Sequence, residues 1–184
     1  GKPIVRIEKG TSNVAPSHKN QSGIYLPYEN DENANDILRS MGVSLITNEL
    51  LRNNVTKHVL RRDFEIDLPD SDMHMIIDAL KDNFLENQSI EWLIRFYSFI
   101  MNDRVTLLET IKLKPVVRIK GKVKNTPPFD ANDNPLVYLL GDNSMSLSFY
   151  EDIGFNYIDP QLTSNKIAKK FLIEFLHLPE AKDP

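Results

Sequence analysis

Residues 2–7, KPIVRI, return as KPVVRI at residues 114–119, an offset of 112. A Gly follows each block, Gly10 and Gly121, and then a polar loop with Pro16 in the first copy and Pro127 and Pro128 in the second. Each loop runs into an apolar stretch containing Tyr-Leu, IYLP at 24–27 and VYLL at 137–140, now offset by 113. A repeat constrains a fold before any other feature, because both copies must be satisfied by one local structure. The β-branched run of each block predicts a strand. Its Pro stands at the strand start, where a missing N–H costs least. Each copy therefore reads as strand, loop and second strand.

A short amphipathic helix is expected after each strand pair. In the first copy Ile37, Leu38 and Met41 fall at helical spacing, and Gly42 suits the helix end. In the second, Ile167, Phe171, Leu172, Phe175 and Leu176 share a face, with Ser164 as candidate N-cap and Pro179 closing the run. Between the copies three helices are predicted. The first runs from a Thr47 cap to Arg62, with Leu50, Leu51, Val55, His58 and Val59 in period. The second follows Pro69, and the third starts at Ser89 and carries WLIRFYSFI, an aromatic density that reads as core. Residues 63–68, DFEIDL, alternate like a short strand. The fold class is α+β, two strand-loop-strand-plus-helix units flanking a section of about three helices. The boundaries are 1–45 for the first unit, 46–110 for the helical section and 111–184 for the second unit.

Arg6 and Arg118 occupy the same place in the two blocks while their neighbours Glu8 and Lys120 differ in sign. A shared carboxylate or carbonyl partner is expected for both. The densest basic stretch holds Lys112, Lys114, Arg118, Lys120, Lys122 and Lys124. On one strand these even positions would share a face. That ridge is the candidate phosphate or nucleic-acid contact, in a winged-helix-like alternative reading. The net charge of −4 argues against a dedicated nucleic-acid binder.

Chemistry-bearing patterns are sparse. His18, His58, His74 and His177 stand in no metal-ligand spacing. No P-loop, GxGxxG or GxSxG motif occurs. The pairs Asp70 with Asp72 and Asp130 with Asp133 read as turns and caps. Glu49 and Asn53 in ELLRNN have the spacing of the Glu and Mg²⁺-binding Asn of Bergerat-type ATPases, but no Gly lies between Gly42 and Gly121 to form the phosphate loop. No catalytic, cofactor or metal residue is therefore assigned, and no enzyme activity is expected. Cysteine is absent, which removes disulfides and thiolate metal sites and fits a reducing compartment.

The succession KPIVRIEKG…VAP…IYLP, then WLIRFYSFI leading into KPVVRIKGK…PPF…VYLL and SNKIAKKFLIEFLHLPE, resembles segments of very large sacsin-like and NO VEIN-like proteins. In that group such segments lie downstream of a Bergerat-type ATP-binding domain, whose ATP-handling residues match nothing here. The resemblance implies a chaperone-like, structural or regulatory module in the cytoplasm. Its partners would be other domains of the same polypeptide or other proteins, with no membrane. The lone Gly1 before Lys2 reads as a remnant of tag removal, so the chain is expected to be cut from a larger protein.

Overall fold

A computed structural model describes residues 5–6, 13–14, 24–46, 51–64, 70–102, 104–140 and 155–181. It mixes helices with small two-stranded sheets, an α+β protein. The chain divides into two compact units, Gly1–Met73 and His74–Pro184.

In the first unit β1 (Val5–Arg6) runs antiparallel to β2 (Asn13–Val14), with Val5 opposite Val14 and Arg6 opposite Asn13. Next come β3 (Ile24–Tyr25), α1 (Glu32–Ser40) and β4 (Ser44–Leu45), and β4 lies parallel to β3. The Asp31 carboxylate accepts from the Ala34 N–H at 2.9 Å and starts α1. Ala34, Ile37 and Leu38 turn inward, while buried Asn35 holds the Tyr28 backbone with one accepted and one donated bond. The helix closes as Gly42, at φ 90°, lets Val43 N–H reach Leu38 O and Gly42 N–H reach Arg39 O. This is the left-handed helix ending that favours glycine.

The next helix, α2, spans Asn54–Phe64. Asn53 starts it, its side-chain oxygen accepting from Val55 N–H at 2.9 Å and Thr56 N–H at 3.4 Å. Leu51 is helical as well, and Arg52 and Asn53 separate it from α2, so the expected run to Arg62 is interrupted there; the expected Thr47 cap and Leu50 lie outside the described residues. Among its described side chains Leu60 is the buried one, whereas Val55, expected on the apolar face, is 71% exposed. Asp63 and Phe64 close the helix instead of opening a strand, and residues 65–68 lie outside the described residues. Helix α3 (Asp70–Ala79) carries the division between the units.

The second unit is built on α5. Helix α4 (Asp82–Glu86) precedes α5 (Ile90–Met101), which Ser89 caps through Trp92 N–H. After a 3₁₀ turn (Val105–Leu107) and α6 (Leu108–Ile111), β5 (Val117–Arg118) pairs antiparallel with β6 (Asn125–Thr126). Then follow β7 (Leu139–Leu140), α7 (Pro160–Ser164), α8 (Lys166–Lys170), a π turn (Phe171–Phe175) and β8 (Glu180–Ala181), which lies parallel to β7. The WLIRFYSFI segment is core, as its aromatic density predicts: Leu93, Phe96, Tyr97, Phe99 and Ile100 are fully buried. Phe171 stacks on Tyr97 at 4.4 Å between ring centres, and the Tyr97 hydroxyl donates to Val116 O at 2.5 Å. Burial holds that phenol above its ordinary pKa.

Several local interactions recur at a fixed distance along the chain. Arg118 faces Asn125 as Arg6 faces Asn13, 112 residues earlier on both strands. Ile46 N–H donates to Tyr25 O at 2.9 Å, and Ile158 N–H donates to Tyr138 O at 3.1 Å, offsets of 112 and 113. Asn165 caps α8 by accepting from Ile167 and Ala168 N–H, as Asn53 caps α2, again 112 residues earlier.

These bonds revise three expectations. The first strand of each block pairs with the interior of the following loop, while the IYLP and VYLL runs pair in parallel with later strands. Ser164 ends α7 and the cap of α8 is Asn165, whose amide oxygen reaches two N–H groups. The helix matched at the offset to α8 is α2, not α1.

Candidate functional site

The basic stretch does not lie on one strand. The strand covers Val117–Arg118 alone: Lys112 ends α6, and Lys120 through Lys124 form the turn into β6, where Gly121 takes φ 75°. A strand face for all six cations needs an extended run, and the two-residue ladder ends at that turn. Each cation has a protein partner. Lys112 bridges Glu109 at 2.7 Å and Asp133 at 3.3 Å. Lys114 donates to Asp78 O, Lys122 to the Asn156 side chain, and Lys124 pairs with Glu86 at 2.7 Å. Lys120 sits 5.5 Å from the centre of the Tyr157 ring.

Arg118 is the member of this set with the most built surroundings. Its Nε donates to Asn125 Oδ1 at 2.7 Å across the strand pair, and its Nη2 donates to Gln88 O at 2.7 Å. Asn125 is 4% exposed, and its Nδ2 donates to Leu85 O at 2.7 Å and Gln88 O at 3.2 Å. The arginine thus fixes which way the amide faces, and the amide presents its donors to the carbonyls at the end of α4. Leu85 O also accepts from Gln88 N–H at 3.2 Å as α4 ends, and Gln88 O lies two residues beyond the helix. The pair is a cation-backed receptor for a helix carboxyl terminus, where positive charge is favourable. Arg104 does the same for α5, donating to Phe99 O and Asn102 O with its guanidinium 4.2 Å over the Phe99 ring. The carbonyl expected as partner of Arg118 is therefore Gln88 O. The side chain of Arg6 lies outside the described residues.

Asn125 carries no motif of its own. The signal was the offset itself: carrying 112 past the KP[IV]VRI block sets Asn13 on Asn125 and Pro16 on Pro128.

A cleft of 390 Å³ lies beside α6, lined by Glu109, Lys112, Phe129, Asp133, Phe175 and His177, among others. Glu109 and Asp133 hold the Lys112 ammonium above its ordinary pKa, the Glu109 hydrogen bond being the larger cause. A lysine so paired stays protonated and is a poor general base. His177 takes φ 53° as the chain leaves the π turn and is exposed. His58 is exposed on α2, His74 Nδ1 lies 3.4 Å from Thr110 Oγ1, and His18 falls outside the described residues. Among the described residues no group of three His, Asp or Glu is placed to hold a metal ion. Asn53 is used as a helix cap, and Glu49 lies outside the described residues.

The Asp130–Asp133 pair is a turn. Asp130 accepts from Asn132 N–H, Asn134 N–H and Asn134 Nδ2, while Asp133 at φ 59° pairs with Lys112. The Asn134 side chain, then the two N–H groups, hold the Asp130 carboxyl below its ordinary value. A depressed carboxylate pKa means that the unfolded chain binds the proton first as pH falls. The turn's contribution to stability is thus complete above the ordinary Asp range and is lost as pH drops through the lowered value. The expected result is an Asn134 amide resonance that moves at a lower pH than a free Asp side chain titrates; a midpoint at the ordinary value would refute it. The side chains of Asp70 and Asp72 are outside the described residues.

No helix among the described residues is long and apolar enough to cross a membrane. No family model matches the chain, and no curated protein or solved structure matches it.

Proposed function

We propose that the chain is a non-catalytic structural and regulatory module built from two copies of one folding unit, residues 2–64 and 114–176, of the sacsin-like kind. The observation that carries this reading is the recurrence of local arrangements at offsets of 112 to 113: Arg opposite Asn across the first strand pair, Tyr O to Ile N–H, and an Asn cap. A chance six-residue match would not bring its strand partners and caps along with it. Repeat units of this type contribute by stacking and by presenting surfaces to neighbouring domains. The polar groups reinforce the reading, since the cations, the Asp130 turn and Asn53 are each used in holding the fold together.

The lack of cysteine makes a register test clean. Val5 and Val14 are directly opposed, as are Val117 and Thr126. Opposed residues on antiparallel strands are spaced to accept a disulfide. Under mild oxidation Val5→Cys/Val14→Cys and Val117→Cys/Thr126→Cys should both cross-link, and the slipped pair Val5→Cys/Asn13→Cys should lag. Cross-linking in the second copy with none in the first would end the two-copy reading. Calorimetry with ATP and a salt titration with duplex DNA should show no binding. Micromolar nucleotide affinity would overturn the non-catalytic reading, and salt-sensitive DNA binding lost on replacing Lys120, Lys122 and Lys124 would favour the winged-helix-like alternative.

A further inference from the structure

We propose that the second unit binds a second copy of this chain, seating the exposed face of α8 and the π turn in an acidic groove beside α6 of that copy. The face is one side of the segment Lys166–Phe175. Lys166, Ile167, Lys169, Lys170, Ile173 and Glu174 are exposed along it, while Ala168, Phe171 and Leu172 pack inward. Lys170 stands three residues from each isoleucine, so its ammonium and the two apolar side chains adjoin. Lys166, Lys169 and Lys170 form no ion pair or side-chain hydrogen bond among the described residues. The lysines of the 112–124 stretch, in contrast, are all used by the fold. At the offset of 112, Lys169 corresponds to Lys57 of α2, which pairs with Glu29. That comparison leans on the two-copy reading, and it says what a lysine at this place on the helix accepts: a carboxylate from outside the helix.

The same unit carries the complementary surface. A groove of 520 Å³ is lined by Asp78, Asp82, Glu109, Thr110, Leu113 and Lys114. Its carboxylates outnumber its one ammonium, and Lys114 is turned to Asp78 O at its wall. Leu113 is 51% exposed, and Met75, one turn before Asp78 on α3, is 61% exposed. Apolar side chains ringed by carboxylates match isoleucines ringed by ammonium groups, the complementarity that selects one surface over others. Seating Ile167 and Ile173 against Leu113 and Met75 removes from water apolar area that each copy alone leaves exposed. The chain as a whole is acidic, at −4, so two copies repel except where this basic face is presented. The two surfaces differ, so the contact is heterologous, and copies add in a row or close a ring.

Sedimentation velocity on the full chain tests the contact. Reversible association is expected below about 1 mM protein at low salt. It should disperse in about 1 M salt, where the screening length falls to about 3 Å. Lys169→Glu/Lys170→Glu and Asp78→Lys/Asp82→Lys each set like charges against each other, so either variant alone should associate at least about tenfold more weakly. Mixed in equal amounts, the two variants should associate again, because every contact between them joins opposite charges. Recovery on mixing also shows that both variants are folded. Three results would overturn the proposal: a wild-type chain that stays monomeric up to that concentration, association that either variant keeps at full strength, or a mixture that stays dispersed. A monomeric chain that binds phosphatidylserine vesicles through Lys169 and Lys170 would assign the face to a lipid surface and overturn it as well. Because the disulfide test reads the register alone, cross-links in both copies of a monomeric chain would remove this contact and leave the two-copy reading standing.

Discussion

Replacing Phe171 by alanine is expected to lower the stability of the second unit by about 3–5 kcal/mol, the range for truncating a buried aromatic ring. Phe171 is fully buried, stacks on Tyr97 at 4.4 Å and lies 6.2 Å from the Phe175 ring. It is also where the helix changes its hydrogen bonding: Leu176 N–H donates to Phe171 O, a bond five residues long. The π turn keeps Phe171 and Leu172 on the buried side while Ile173 and Glu174 are exposed. Collapse into the vacated space is hindered by Tyr97, whose hydroxyl is tied to Val116 O. Differential scanning calorimetry should show the midpoint falling by roughly 10 °C. A loss under about 1 kcal/mol would mean that neighbouring side chains refill the site, and the stacking account would be wrong.

Asn125→Ala should follow closely, with a loss of about 2–4 kcal/mol. The substitution removes the side-chain donor to Leu85 O, which keeps the Gln88 N–H, removes one of the two side-chain donors to Gln88 O, and takes from Arg118 Nε its acceptor. Each buried polar group left unpaired costs about 1–3 kcal/mol. Arg118→Ala should cost less, about 1–3 kcal/mol, because Asn125 still covers both carbonyls and Arg118 is only half-buried. The two changes share their partners, so the double variant should lose clearly less than the two single losses together. Additive losses would show that arginine and amide act independently, and the receptor described here would not be a unit.

Much of the fold was legible before any coordinate. The helix Ile90–Met101 and its burial follow from seven apolar or aromatic residues among the nine of WLIRFYSFI, after a serine cap. The α1 ending at Gly42 follows from a helical period stopping before a glycine. Val5 and Val117 lie in strands, as the β-branched run of each block predicts. The less legible parts share one cause. A two-residue strand has no alternation to read, so the sequence points to the nearest apolar run as the partner of Val117–Arg118, whereas the partner is a polar Asn-Thr in the loop. The basic stretch misled for the same reason. Alternation of Lys with apolar residues mimics a strand face, but Lys112 ends a helix and Gly121 turns the chain.

The sequence by itself determined what is local: where apolar residues recur at helical spacing, where β-branched residues run together, where a glycine or an asparagine ends or starts an element, and that KP[IV]VRI occurs twice. The tertiary structure alone decided what each polar group does. Asn125 meets Leu85 O across 40 residues and Lys124 meets Glu86 across 38, and a side chain's donors carry no mark of which distant carbonyl they will satisfy. Burial makes that choice, because a helix end packed away from water must find donors wherever the chain's path brings them, and here it brought Arg118 and Asn125.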